Sequence, residues 1–143
     1  MTLKEKIVGC INNALPAWSV IIDDLYNIDI AIEHTAAPIA AVVLPLTGTL
    51  EWRNGRVYKG WQVNVGFLNV VPKDPNGEDR CKVIEDCEAA ASEFMAAVVA
   101  SGWFERLDGK QQTNFFMPQQ SSNILTGVML TLNLTEVEGK CYG

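Results

Sequence analysis

Apolar residues recur every three or four positions between residues 79 and 101. Ile84, Cys87, Ala91, Phe94, Met95 and Val98 therefore share one face of a helix. Ala89, Ala90, Ala96 and Ala97 add strong helix-forming character. Glu78, Asp79, Glu85 and Asp86 place negative charge in the early turns, where the helix dipole favours it. Gly102 stands where a helix-stopping glycine is expected. The pattern predicts one long helix over about 78–101, roughly 30–35 Å long and able to cross a small sheet. Its apolar stripe covers one side only, so it should lie on a sheet.

Before it, Thr2 and Glu5 form a capping-box pair. Leu3, Ile7, Cys10, Ile11 and Leu15 then give a short amphipathic helix that stops before Pro16. Trp18–Ile22 reads as a strand. Leu25–Glu33 alternates weakly, with Ile28, Ile30 and Ile32 against Asn27, Asp29 and Ala31, and is read as a strand slightly ahead of a helix. Ile39–Leu44 is an apolar strand, with Pro45 at its edge or at a bulge. Thr47–Trp52 continues it irregularly. Asn54–Gly55 is the strongest turn signal, since it supplies the positive φ angles of a type I′ hairpin. On the return strand Trp61, Val63, Val65 and Phe67 alternate with Gln62, Asn64 and Gly66, so one face is core.

Residues 72–77, Pro-Lys-Asp-Pro-Asn-Gly, form a turn into the long helix. After the helix, Trp103–Leu107 is expected as a short strand, Asp108–Gly109 as a turn and Asn114–Met117 as another strand. Ser121–Asn123 reads as a loop. Ile124–Thr135 is a long final strand, with Val128, Leu130, Leu132 and Leu134 on one face. Residues 136–143 read as a polar, mobile tail. Runs of strands separated by few helices give an α+β fold. The expectation is one domain, 1–143, with a mainly antiparallel sheet, helices gathered on one face, and a projecting hairpin near 50–61.

Composition narrows the function. With 143 residues, 48% hydrophobic and 20% charged, the chain can bury a proper core. A net charge of −6 argues against a nucleic-acid groove. No apolar run reaches the roughly 18–20 residues of a membrane span. Cys10, Cys81, Cys87 and Cys141 have no metal-binding spacing, and Cys81 and Cys87 point to different helix faces. With no secretory leader in view, reduced thiols in a cytosolic compartment are expected. Ile7–Cys10 resembles a lipobox but lacks the apolar run that a leader needs.

Candidate chemistry is sparse. His34 is the single histidine, beside Glu33, and no G-x-S-x-G elbow accompanies it. Residues 74–85 superficially match a calcium loop, but Asp79 replaces the required glycine, and Arg80 and Lys82 intrude. Asp23, Asp24, Asp29 and Glu33 form an acidic stretch that reads as a solvated edge. Asn133–Thr135 fits a glycosylation sequon inside an expected strand. No enzyme, cofactor or metal reading follows.

The hairpin is more informative. Trp52, Arg53, Asn54, Gly55, Arg56, Tyr58 and Lys59 gather aromatic and basic residues in an otherwise acidic chain. Aromatic and arginine residues are enriched at interfaces. These seven are the candidate interface: a basic arm that docks on an acidic surface of a neighbouring copy. A head-to-tail contact of that kind closes into a ring when the rotation permits.

The layout of a short N-terminal helix, strands, a hairpin arm, one long helix and a last pair of strands resembles the tail-terminator (tail-completion) proteins of long-tailed bacteriophages. The passage Trp61–Ser101 and the return through Asp108–Gly109 to Leu134 carry most of it. The resemblance implies a structural protein that forms a ring, commonly of six copies, on the tail tube and joins tail to head. Its partners would be itself, tail-tube proteins and head-connector proteins, with no nucleic acid or membrane. It would occupy the host cytoplasm during assembly and then the virion tail. Two alternatives remain open: another phage neck or tail-tube component, or a small ligand-binding or enzymatic α+β domain.

Overall fold

A computed structural model describes residues 2–70, 77–105, 107, 111–116 and 125–136. The expected turns at 72–76, 108–109 and 121–123, and Cys141, lie outside the described residues.

Helix α1 runs Leu3–Ala14 and opens on the capping box. The Glu5 amide donates to Thr2 Oγ1 at 3.2 Å, and the Thr2 amide donates to Glu5 Oε2 at 3.4 Å. Strand β1, Ser19–Asp24, leads straight into helix α2, Leu25–Ala31, followed by a 3₁₀ turn at Ile32–His34. Asp24 makes this junction: its Oδ1 accepts from the Asn27 amide at 2.9 Å, which caps the helix.

This corrects the strand expected over Leu25–Glu33. A strand would have placed Ile28, Ile30 and Ile32 on one face. Instead Ile28 and Ile32, four apart, are fully buried, while Ile30 is 42% exposed. The i,i+4 pair and the aspartate cap outweigh a weak alternation.

Strands β2, Ile39–Arg53, and β3, Arg56–Val70, form a long hairpin. Asn54 and Gly55 have φ of 50° and 75°, the left-handed pair that a tight hairpin turn requires. Pro45 falls in a register shift between Val43 and Thr47, where a missing amide donor is tolerated. Helix α3 spans Gly77–Ser101 and ends at Gly102, with φ 72°. Strands β4, Gln112–Phe116, and β5, Leu125–Thr135, complete the chain.

The five strands form one sheet in the order β1-β2-β3-β5-β4. β1 and β2 are parallel and the other pairings are antiparallel, so the sheet is mixed. β3 and β4 both oppose β5 and hence run the same way. α3 is therefore the crossover between them, as α2 is between β1 and β2.

The two expected helices, α1 and α3, lie on one face of the sheet, and the unexpected α2 lies on the other. α1 and α3 cover the main core, built on Ala40, Val42, Val63, Val65, Phe67, Val128, Leu130, Leu132 and Leu134. Phe67 contacts Trp18 and Phe94 with ring centroids 6.0 and 5.8 Å apart. α2 seals a smaller cluster on the opposite face, where Ile28 and Ile32 meet Ile21, Ile39, Leu68 and Leu125.

Among the described residues of Trp103–Leu107 there is no strand; Phe104 makes a single bridge to Glu136. The Ser101 hydroxyl accepts from the Trp103 amide at 3.2 Å, so the chain curls as it leaves the helix. Glu136, expected in a mobile tail, is fixed. It accepts from Lys6 Nζ at 3.0 Å and from Trp61 Nε1 at 3.3 Å. Residues 137–143 lie outside the described residues.

Candidate functional site

β1 pairs with β2 only as far as Leu44, and β5 pairs with β3 only from Gly60 onward. Between those limits, among the described residues, β2 and β3 have only each other. Leu50–Arg53 and Arg56–Lys59 thus form a two-stranded arm that runs roughly 15 Å beyond the sheet at about 3.3 Å per residue. A lone two-stranded ribbon is marginally stable in water. Something must hold it.

Arg53 does that. It faces Tyr58 across the ribbon, with its guanidinium 4.1 Å from the ring centroid. Its Nη2 donates to Glu105 Oε2 at 3.2 Å, and its Nε lies 3.2 Å from Glu51 Oε1. The bond to Glu105 raises the Arg53 pKa above its already high ordinary value, and the Glu51 carboxylate adds to this. Arg53 therefore spends its charge within its own chain. Glu105 is itself anchored, since its amide donates to the Thr135 carbonyl at 2.8 Å. The arm tip is tied to the β5 side of the sheet.

The other face of the arm is bare. Trp52 pairs with Val57 and Leu50 with Lys59. By strand alternation these side chains point to the same side as the main core, but past the end of the helices that cover it. Leu50 is 74% exposed, Trp52 72% and Val57 55%. The Lys59 ammonium sits 4.4 Å from the Trp61 ring centroid and rims this apolar face. Arg56, at the turn beside Asn54 and Gly55, is exposed and in no ion pair among the described residues.

The seven candidate interface residues are thus split. Trp52, Arg56 and Lys59 are presented outward, Asn54 and Gly55 make the turn, and Arg53 with Tyr58 braces the arm. Leu50 and Val57 were not singled out in the sequence, although their alternation with Trp52 and Lys59 was there to be read. Glu105 carried no local signal, because its role depends on a partner 52 residues away.

At the root of the arm is an open groove of about 450 Å³, lined by Lys4, Asp23, Asp24, Leu44, Pro45 and Leu46. It lies where β1 ends and β2 shifts register. Asp23 and Asp24 accept bonds from the α2 cap but pair with no cation among the described residues.

Other candidates do not converge. His34 is exposed at the end of the 3₁₀ turn. Only the backbone of Asp29 and Glu33 is described. Among the described residues no group of three or more His, Cys, Asp or Glu is placed to hold a metal ion. No helix of the described residues is long and apolar enough to cross a membrane. Asn133 lies within β5 and is exposed. The calcium-like stretch enters α3 from Gly77 onward, and residues 74–76 lie outside the described residues. Cys10 and Cys87 are buried and Cys81 is exposed, as different helix faces require.

The chain matches no known protein family and no curated protein.

Proposed function

We propose that this chain is a self-assembling structural subunit of the tail-terminator kind. In this reading it forms a homo-oligomeric ring at the end of a phage tail tube and joins tail to head. One observation carries the assembly part: a braced two-stranded arm that leaves Leu50, Trp52 and Val57 exposed. Exposed apolar residues scattered singly need no explanation, but a contiguous stripe on a projecting element is the mark of an interaction surface. A ribbon held in place by Arg53 loses little freedom on docking, which favours association.

The phage assignment rests on the resemblance of the layout to tail-terminator proteins. Its neighbours would be tail-tube and head-connector proteins, and its work would be mechanical, with no catalytic residue involved. The test is negative-stain microscopy of the purified protein, alone and with tail tubes built from the tube protein encoded beside its gene. Annular particles seated on tube ends are expected. Particles that never close into rings and never touch a tube end would overturn the assignment.

A further inference from the structure

The bare arm needs a receptor, and the groove at the arm's root has matching chemistry. Its floor is apolar, made by Leu44, Pro45 and Leu46, and its rim carries Asp23 and Asp24, which outnumber the single cation there, Lys4, and form no ion pair among the described residues. The arm has the reverse rim: an apolar face of Leu50, Trp52 and Val57 with Lys59 on the same side, in a chain whose net charge is −6. At about 450 Å³ the groove has the volume of a small ligand site, ample for an indole. Pro45 offers no amide, so the groove floor suits side-chain insertion better than strand addition.

An arm cannot reach its own groove. It leaves the groove at Thr47 and runs away from it, and Arg53 ties its tip to Glu105 on the β5 side of the sheet. The groove lies on the β1 side. The occupant must come from another chain, and a second copy supplies the complementary shape and charge.

We propose that Trp52 and Val57 of one copy seat in the Leu44–Pro45–Leu46 groove of the next, with Lys59 against Asp23 and Asp24. This rests on the arm-mediated assembly proposed above and names its receptor. The contact joins two different surfaces, so each copy gives one arm and receives one. Such a contact propagates head to tail and closes only as a ring.

The test uses the full chain and three sets of variants, read by light scattering. Asp23→Asn with Asp24→Asn removes the charge but keeps a good helix cap, so α2 stays folded, as circular dichroism should confirm. This pair should weaken self-association by about tenfold or more. Lys59→Glu should weaken it similarly, and Lys59→Glu combined with Asp23→Lys should recover much of the loss. Mixing an arm-defective chain (Trp52→Ala, Lys59→Glu) with the groove-defective chain should give pairs that grow no further, because only one good arm and one good groove remain between them. If the arm variants dissociate while the groove variants keep the native mass, the arm docks elsewhere: this proposal fails and arm-mediated assembly stands. If the arm variants keep the native mass, or the native chain is a monomer at every concentration, both fail.

Discussion

Arg53 donates to Glu105 at 3.2 Å, joining the tip of the hairpin to the segment that follows the long helix. The two residues are 52 apart in sequence, and this bond decides what the arm can do. A ribbon without support would fray, whereas one tied at its tip presents Trp52 in a fixed direction. Arg53→Ala should speed amide hydrogen exchange across Leu50–Lys59 and leave the core amides of β5 unchanged. Glu105→Ala should do the same, and the double variant should add little. Because exposed ion pairs contribute little to global stability, the melting temperature should barely move. Unchanged exchange at the arm in both variants would show that something else holds it.

The main core depends on the aromatic contact under α3. Phe94 is fully buried against Phe67, so Phe94→Ala should cost about 3–5 kcal/mol in urea unfolding. Met95→Ala, at a half-buried neighbouring position, should cost clearly less. Equal losses at the two positions would mean that the helix presents a different face to the sheet.

Glu136 links three parts of the fold: its own strand extension, α1 through Lys6, and β3 through the Trp61 indole. Its removal leaves a half-buried ammonium and an indole N–H without their acceptor. Glu136→Ala should therefore cost about 1–3 kcal/mol and alter tryptophan fluorescence. A change within error in both readouts would show that Glu136 does not hold these parts together.

The thiols should separate by burial. Desolvation raises the Cys87 pKa from 9.0 to about 12, and it raises Cys10 as well. The unfolded chain ionises these thiols at lower pH than the native one. Stability from this source is therefore complete below about pH 9 and falls as pH climbs toward 12. Cys87→Ala should flatten that alkaline loss. In the native protein near neutral pH, peptide mapping after maleimide treatment should find Cys81 modified, with Cys10 and Cys87 protected until the chain unfolds. Rapid native labelling of Cys87 would contradict the packing of α3 on β5.

Much of the fold could be read locally. Thr2 with Glu5, the stripe of Ile84 to Val98, Asn54–Gly55 and the alternation from Trp61 to Phe67 each combine a short-range signal with a single structural answer. Leu25–Glu33 defeated this reading because three isoleucines two apart also place two of them four apart. The cap at Asp24 and burial on the far face resolved it. The Trp103–Leu107 composition suits a strand, yet a strand needs a partner, and among the described residues the pairing there stops at the Phe104–Glu136 bridge and the Glu105–Thr135 bond. The site was legible only in part. Trp52, Arg56 and Lys59 stood out by residue type. The brace from Arg53 to Glu105, and a groove assembled from Lys4, Asp23 and Leu44–Leu46, are made by chain segments whose proximity no local pattern encodes.

Self-assembly through the arm is the central claim, and the mass of the native particle in solution tests it most directly. Light scattering should give a closed multiple of the 15.7 kDa chain, and Trp52→Ala with Lys59→Glu should reduce it to smaller species with an unchanged circular dichroism spectrum. A native mass of one chain at all concentrations, or a variant that keeps the full native mass, would contradict the account.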